Sequence, residues 1–197
     1  ALLKRLQAPP SELTRTIIRP RDRLQALIGG LRRPREVDVL LDDATEAAGG
    51  VAMPGAAFDA VVTHLLNNAA EATLEAAPAA PPPVVVRLRQ PGRQLVIEIA
   101  DEGPGMHPEF VRDKLFAPFD TSKPGGTGIG AFQARELLRE AGGDLLVLSQ
   151  PGAGTTMRIV LPAVEAPGPG ATLPQASGAG ARHANTPPEI SISDRLR

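Results

Sequence analysis

Residues 84–105 read VVVRLRQPGRQLVIEIADEGPG, and they determine the architecture of this chain more than any other segment. Apolar residues alternate at period two on either side of residues 90–93, Gln-Pro-Gly-Arg, which predicts two antiparallel strands joined by a turn. The second strand runs directly into Asp101, which is followed by glycines at 103 and 105. One end of a sheet therefore carries an acid beside backbone that another molecule can approach closely.

Apolar periodicity predicts the other elements of the body. A long helix is expected from Ala56 to about Ala76 and another from Ile129 to about Ala141, where two glycines end it. Strands are expected over Leu145–Ser149 and Thr156–Leu161, joined by a Pro-Gly-Ala-Gly turn. Before the long helix, the pattern predicts short strands at Val37–Val39 and Gly50–Met53 with a helix over Leu40–Ala48. These elements predict an α+β fold, a two-layer α/β sandwich in which helices cover one face of a mixed sheet.

The chain divides into three parts by composition. In residues 1–34, apolar residues at helical spacing over Leu13–Leu31 predict an amphipathic helix that Pro20 kinks or splits. This helix is either part of the domain that follows or one half of a dimerisation hairpin. Residues 35–162 are the globular body. Residues 163–197 are mainly Ala, Gly, Pro, Ser and Thr until near their end, which predicts a disordered tail.

Charge and residue usage exclude several classes of function. The net charge of −1 over 197 residues gives no reason to expect nucleic acid as a partner. The absence of cysteine excludes disulfides, thiolate metal sites and cysteine nucleophiles, and fits a reducing compartment. No apolar run approaches the roughly 20 residues of a membrane span, so a cytoplasmic location is expected, although the parent protein can be membrane-anchored.

Three glycine clusters are candidates for ligand contact: residues 101–105, 125–130 and 152–155. Glycines that enter a helix offer free backbone N–H groups and a positive dipole end to phosphates. Each cluster alone is better explained as a turn between elements. A P-loop is excluded because no Gly-x-x-x-x-Gly-Lys-Ser/Thr occurs, and the middle cluster does not fit a dinucleotide-binding βαβ unit.

The order of these features is more specific than any single cluster. A helix with an asparagine pair is followed by Asp-x-Gly-x-Gly, Phe-x-Pro-Phe, Gly-x-Gly-x-Gly and a final Gly-Thr. From about Val37 to Pro162 this order resembles the ATPase/kinase superfamily with the Bergerat nucleotide fold, which includes histidine kinases, gyrase-type topoisomerases, heat-shock chaperone ATPases and mismatch-repair ATPases. The matching segments are the asparagine box (64–72), the first glycine box (101–105), the phenylalanine box (115–119) and the second glycine box (126–130).

The resemblance implies a site for ATP and Mg²⁺. It assigns Asn68 as the Mg²⁺ ligand and Asp101 as the acceptor for the adenine amino group. The plainer alternatives are a surface amide and a turn aspartate. Gly103 and Gly105 would leave room for the base, and Thr155 would lie near the adenine. The second glycine box would close over the phosphates through Gly126, Thr127, Gly128, Ile129 and Gly130.

Position 64 separates kinases from ATPases within this superfamily. Its ATP-hydrolysing members carry a glutamate four residues before the metal-binding asparagine, whereas here that residue is His64, as in some histidine kinases. A histidine can itself act as a base, so an ATPase remains an alternative. Lys123 lies in the lid, the segment that would close over the phosphates, and its side chain is expected either to reach the γ-phosphate or to be solvated. Phe116 and Phe119 are expected to anchor the lid by packing. Residues 116–132 are similar to histidine kinases of the PEP-CTERM-associated group.

The resemblance also implies partners. A histidine kinase needs a phosphoacceptor histidine on a dimeric hairpin, and the three histidines of this chain, His64, His107 and His183, do not supply one. The helix in residues 1–34 is therefore interpreted as the second helix of that hairpin, in a homodimer that passes phosphate to a response regulator. The acceptor helix would lie upstream or on a partner. Alternatives are an ATP-binding interaction module, an anti-sigma-type serine kinase, a pseudo-kinase or a Bergerat-fold ATPase.

Overall fold

The structure is a computed structural model that describes residues 16–30, 37–45, 49–77, 79–119 and 128–165. These residues form seven strands and four helices. In chain order they are β1 (Ile17–Ile18), α1 (Pro20–Gly30), β2 (Val39–Asp43), β3 (Val51–Ala52), α2 (Gly55–Ala76), β4 (Val84–Arg89), β5 (Gln94–Asp101), α3 (Pro108–Asp113), α4 (Gly130–Glu140), β6 (Asp144–Ser149) and β7 (Thr155–Pro162).

The main sheet has five strands in the order β2-β4-β5-β7-β6. Strand β2 runs parallel to β4, and the other neighbours are antiparallel, so the sheet is mixed. Strand β5 lies at the centre and pairs along its full length with β7, which brings Asp101 opposite Thr155. The predicted α+β architecture with a mixed sheet is confirmed.

One face of the sheet and one side of α2 form the core. Alternate residues of β4, β5 and β7 are buried, as period-two patterning requires. Helix α2 contributes Phe58, Val61, Val62, Leu65, Leu66, Ala69 and Ala70 to the same core. The opposite face of the sheet has no covering layer among the described residues, and Leu146 and Leu148 are exposed there. The protein is therefore a two-layer sandwich.

The segment before α2 differs from the prediction at Ile17 and Ile18. These residues form β1, which pairs with β3, rather than the beginning of a helix. The helix begins at Pro20, because proline disfavours helical conformation in the residue before it and fits a first helical position. Leu24 of α1 is fully buried in the core that α2 and the main sheet share.

A second correction concerns residues 40–48. The predicted helix over Leu40–Ala48 is wrong for its first part, because Val39–Asp43 is strand β2. The strand ends where Asp43 Oδ1 accepts hydrogen bonds from the Thr45 backbone N–H, at 2.9 Å, and the Thr45 hydroxyl, at 2.6 Å. This local turn competes with helix formation. Residues 46–48 lie outside the described residues.

The ends of the body also differ slightly from the prediction. Helix α3 was not expected, and Pro at its first position favours its start there. Beyond β7, Val164 forms an antiparallel bridge with Gly50, so the body continues two residues past Pro162. The rest of the predicted tail, from residue 166, and the two ends of the predicted N-terminal helix, residues 13–15 and residue 31, lie outside the described residues.

Candidate functional site

Helix α2 carries the asparagine box at the edge of the core. Residues of α2 alternate in pairs between buried and half-buried, so Leu65 and Leu66 face the sheet while His64 and Asn68 lie on the half-buried side. His64 and Asn68 are one helical turn apart. Their side chains meet, with 3.0 Å between Asn68 Nδ2 and His64 Nε2.

The second glycine box reaches the same place through the start of α4. A Cβ on Gly130, the first residue of α4, would overlap the imidazole ring of His64. Glycine at 130 therefore lets the helix start lie directly against His64. The N-cap residue, Ile129, has no side chain that caps the helix, so the first turn presents backbone N–H groups without a side-chain acceptor of its own.

The lid is only partly described. Gly128 has a φ of 63°, a left-handed conformation that favours glycine, and its carbonyl accepts the Phe119 N–H at 3.0 Å. The start of α4 is thus joined to the end of the phenylalanine box through Gly128, Ile129 and Gly130. Three of the predicted site residues, Lys123, Gly126 and Thr127, lie outside the described residues.

Asp101 ends β5 on the buried face of the sheet. Its side chain is nearly buried, with 9% of its surface exposed. Oδ1 accepts two backbone N–H groups, from Gly103 at 2.9 Å and from Thr155 at 3.2 Å. These bonds fix the orientation of the carboxylate between the two loops.

The glycines around Asp101 allow two loops to meet backbone to backbone. A Cβ on Gly103 would lie 2.7 Å from the Cβ of Ala72, a residue of α2. Gly105 and Gly154 have φ angles of 69° and 76°. A Cβ on Gly105 would overlap the Gln150 carbonyl, and one on Gly154 would overlap the Asp101 carbonyl. The first glycine box and the β6–β7 turn therefore form one closely packed wall.

Three residues of this wall were not predicted from the sequence. Ala72 packs against Gly103, and the Met106 N–H donates to the Ser149 hydroxyl at 2.9 Å. The Ser149 hydroxyl also contacts Thr155 Oγ1 at 2.9 Å. The position of Ser149, two residues before the Pro-Gly-Ala-Gly turn and opposite Thr155, was the available signal.

The two phenylalanines behave differently from each other. Phe116 packs against the core, and the Arg135 guanidinium of α4 lies 4.3 Å from its ring centroid, a cation–π arrangement that anchors the box to α4. Phe119 is 77% exposed and has a φ of 69°. The prediction of a packing anchor fits Phe116 and is wrong for Phe119, because the left-handed backbone directs this ring outward.

The donor set at the asparagine box suits Mg²⁺ bound together with phosphate. Asn68 offers an amide oxygen, which is a ligand type that Mg²⁺ prefers. Across the described ranges, no group of three His, Cys, Asp or Glu residues could hold a metal ion. A cation here would therefore take its remaining ligands from water and from the phosphates of a nucleotide.

Known proteins match this chain over the same region. The family model described as histidine kinase-, DNA gyrase B-, and HSP90-like ATPase matches residues 56–165, more than half of the chain. The C4-dicarboxylate transport sensor protein DctB of Rhizobium meliloti (strain 1021) is 36% identical over 104 residues, which are 53% of this chain and 16% of DctB. The histidine protein kinase DivJ of Caulobacter vibrioides is 29% identical over 178 residues, 84% of this chain and 28% of DivJ. This chain thus spans only a small part of these relatives.

Solved structures agree on the fold. The mycobacterial sensor histidine kinase MprB superposes with a TM-score of 0.64 at 25% identity, over 77% of this chain and 99% of that chain. Full-length ShkA, solved in complex with AMPPNP, superposes with a TM-score of 0.67 at 20% identity, over 83% of this chain and 34% of that chain. Among the residues that the structure describes, no helix has the length and apolar character needed to cross a bilayer. From the fold, the site and the matched residues, this chain belongs to the family of histidine kinase-, DNA gyrase B- and HSP90-like ATPases.

Proposed function

We propose that this chain is the ATP-binding part of a two-component histidine kinase. It binds ATP with Mg²⁺ and presents the γ-phosphoryl group to a histidine on a separate helix, for relay to a response regulator. The similarity to sensor histidine kinases supports this reaction class. In such a transfer the protein supplies mainly position and charge neutralisation.

The two ends of the nucleotide would be recognised by different residues. Asp101 would accept the adenine amino group with its carboxylate, whose orientation is held by the Gly103 and Thr155 N–H groups on Oδ1. Asn68 would offer its amide oxygen to Mg²⁺, which when bound bridges and neutralises phosphate oxygens. The backbone N–H groups of the first turn of α4 would bind phosphate.

The contact between His64 and Asn68 favours a kinase over an ATPase. The amide nitrogen of Asn68 can only donate, so His64 Nε2 accepts this hydrogen bond. That lone pair is then engaged within the protein and cannot also take a proton from an attacking water. A hydrolytic enzyme needs such a base at this position, and this observation carries the proposal.

The remaining lid residues keep their proposed roles. Lys123 would reach the γ-phosphate, while Gly126 and Thr127 would close over the phosphates with Gly128. The exposed ring of Phe119, whose N–H is bonded to Gly128, would contact the helix that delivers the acceptor histidine.

The boundary of the ATP-binding unit is proposed to lie before β1. Strand β1 pairs with β3, and Leu24 of α1 is buried in the common core. Arg23 of α1 also forms an ion pair with Asp59 of α2, with 2.8 Å between Arg23 Nε and Asp59 Oδ1. This packing favours the alternative in which α1 is part of the domain. The dimerisation hairpin of the proposed homodimer would then lie outside the described residues.

Nucleotide binding is tested by calorimetric titration of the 197-residue chain with ATP and Mg²⁺, beside Asp101→Asn. An asparagine can keep its oxygen on the Gly103 and Thr155 N–H groups, but it presents an amide NH₂ to the adenine amino group. Loss of a hydrogen bond to a charged acceptor weakens affinity by about 10- to 150-fold. Asp113→Asn is the matched control, because Asp113 is exposed and pairs only with Arg112 in the described contacts.

The same samples are assayed for released phosphate to separate kinase from ATPase. The expected result is binding without turnover, followed by transfer when a dimeric helical hairpin with a phosphoacceptor histidine, taken from a similar sensor kinase, is added. A hairpin whose acceptor histidine is alanine is the control. Steady phosphate release by the chain alone would replace the proposal with the ATPase, and absence of ATP binding would refute both.

A further inference from the structure

Ser149, the last residue of β6, joins the two loops that flank Asp101. Its hydroxyl oxygen lies 2.9 Å from the Met106 backbone nitrogen, 2.9 Å from the Gly154 carbonyl oxygen and 2.9 Å from Thr155 Oγ1. Met106 follows the first glycine box, whereas Gly154 and Thr155 belong to the β6–β7 turn and to β7. One side chain therefore contacts both sides of the wall.

The directions of these hydrogen bonds follow from the number of protons. A serine hydroxyl has one proton to donate and two lone pairs that accept. The Met106 N–H can only donate, and the Gly154 carbonyl can only accept, so Ser149 gives its proton to Gly154. The contact with Thr155 must then be donated by the Thr155 hydroxyl. All hydrogen-bonding capacity of Ser149 is used.

This arrangement acts on Asp101 through Thr155. The Thr155 N–H is one of the two donors that hold Asp101 Oδ1, and Gly154 lies directly against the Asp101 carbonyl. A second link closes the same loops, because the Gly152 N–H donates to the Pro104 carbonyl at 2.7 Å. Among the described hydrogen bonds, Ser149 supplies the only side chain that joins Met106 to the turn, so its loss would weaken the hold on the Thr155 side of the carboxylate.

We propose that Ser149 is a positioning residue that sets the selectivity of the site for adenine over guanine. The inference rests on the proposed function, in which the Asp101 carboxylate accepts the amino group of adenine. Guanine carries a carbonyl oxygen at the equivalent ring position, and a fixed carboxylate repels it. A carboxylate that can turn away from that oxygen excludes guanine less and holds adenine less well.

A purely structural role for Ser149 gives a different expectation. In that case the loss of the hydroxyl lowers the stability of the turn and reduces the affinity for all purine nucleotides by the same factor. The ratio of the affinities for ATP and GTP would not change. This ratio, rather than the affinity for ATP alone, therefore distinguishes positioning from stability.

The test measures the dissociation constants of ATP and GTP, each with Mg²⁺, by calorimetry on the full 197-residue chain. The variants are Ser149→Ala, Ser149→Cys under reducing conditions, and Ser149→Thr, which keeps a hydroxyl. A neutral hydrogen bond contributes about 1 kcal/mol, which corresponds to about fivefold in an equilibrium constant. Ser149→Ala is expected to reduce the ATP-to-GTP affinity ratio about fivefold, Ser149→Cys to reduce it less, and Ser149→Thr to restore it.

Thr156→Ala is the matched control. Thr156 is the next residue after Thr155 in β7, where successive side chains point to opposite faces of the sheet. Its substitution should leave the ratio unchanged. If Ser149→Ala does not fold, the comparison of Ser149→Cys with Ser149→Thr decides. An unchanged ratio in folded variants, with ATP bound by the wild-type chain, would overturn this inference alone, whereas a wild-type chain that binds neither nucleotide would overturn the proposed function as well.

Discussion

The two ends of the candidate nucleotide site are built in different ways. At the adenine end, Asp101 is fixed by backbone N–H groups, and Gly105 and Gly154 bring two loops into direct backbone contact. At the phosphate end, a side-chain contact between His64 and Asn68 lies against the start of α4. The adenine end is held by contacts between backbone atoms, whereas the phosphate end depends on contacts between individual side chains.

This difference fits the two tasks of the proposed function, recognition of a base and presentation of a phosphoryl group. Backbone-to-backbone packing around Asp101 leaves little freedom, which suits recognition of a flat base whose donors and acceptors are fixed. At the phosphate end, α4 is joined to the phenylalanine box by the contact of Arg135 with Phe116 and by the hydrogen bond from the Phe119 N–H to the Gly128 carbonyl. In the proposed transfer of a phosphoryl group to another helix, this end of the site is the one that the partner must reach.

The largest expected effect is at the adenine end, where Gly154→Ala would break the contact between the two loops. The new Cβ would overlap the Asp101 carbonyl, and the φ of 76° adds strain. We expect a loss of about 3 kcal/mol or more in the free energy of unfolding, in the range of severe substitutions, together with loss of ATP binding. Urea denaturation and calorimetry measure the two effects.

Gly152→Ala is the control for backbone strain. Gly152 lies in the same turn with a φ of 75°, but nothing lies within 4 Å of an added Cβ. Its cost should be about 1 kcal/mol from conformation alone. Equal effects of the two substitutions would show that the close approach of the loops contributes nothing, and the contrast between the two ends would be lost.

The sequence was most informative where periodicity is long and local. The apolar spacing in α2 and the alternation in β4 and β5 predicted these elements almost to the residue. The predicted strand at Val37–Val39 overlaps β2 only at Val39, because β2 is short and pairs in parallel with β4, a strand about 45 residues later, so its conformation depends on a distant partner. Strand β1 was missed because it has only two residues and pairs with β3, which is also distant in the sequence.

The candidate site shows the same division. Asn68, Asp101 and the glycines could be proposed as site residues because their order in the chain is characteristic. Ser149 and Ala72 could not, because a serine at a strand end and an alanine in a helix are common everywhere. Their contribution comes from contacts with Thr155 and Gly103, which are visible only after folding.

At the phosphate end, an intermediate effect is expected from His64→Leu. Leucine cannot accept the Asn68 amide, so the amide oxygen loses its fixed direction toward the cation. Removing a residue that orients a metal ligand typically lowers metal affinity by at least about 10-fold. The measurement is the affinity for ATP with Mg²⁺ compared with the affinity in EDTA. Only the first should fall.

Asn68→Ala should remove the Mg²⁺-dependent gain entirely, and Asn67→Ala is the neighbouring control. The Asn67 side-chain oxygen is buried and has no hydrogen-bond partner, so its removal breaks no described contact. If His64→Leu weakens ATP binding equally with and without Mg²⁺, the imidazole ring of His64 acts only by filling space beside Gly130. The phosphate end would then not depend on an oriented side chain.

The smallest effect is expected at Asp144, which holds the far end of α4 to the sheet. The hydrogen bond from Arg135, at 2.8 Å, lowers the pKa of the Asp144 carboxyl from 3.8 to about 2; partial burial opposes this, and the Leu145 N–H and the charges of Arg135 and Arg139 assist. Because the folded-state pKa is lower than the unfolded one, this stabilisation is present above about pH 4 and disappears as the pH falls toward 2.

Asp144→Asn should therefore lower the free energy of unfolding at neutral pH, and the difference from wild type should vanish toward pH 2. The Asp144 side chain is 35% exposed and that of Arg135 is 25% exposed, so solvent screening limits the effect to about 1 kcal/mol. Urea denaturation at several pH values measures it, with the more exposed Asp113→Asn as the control. A difference that persists unchanged at pH 2 would mean that the asparagine acts through packing rather than charge. The attachment of α4, and with it the phosphate end, would then depend on close packing, as the adenine end does, and not on an ion pair.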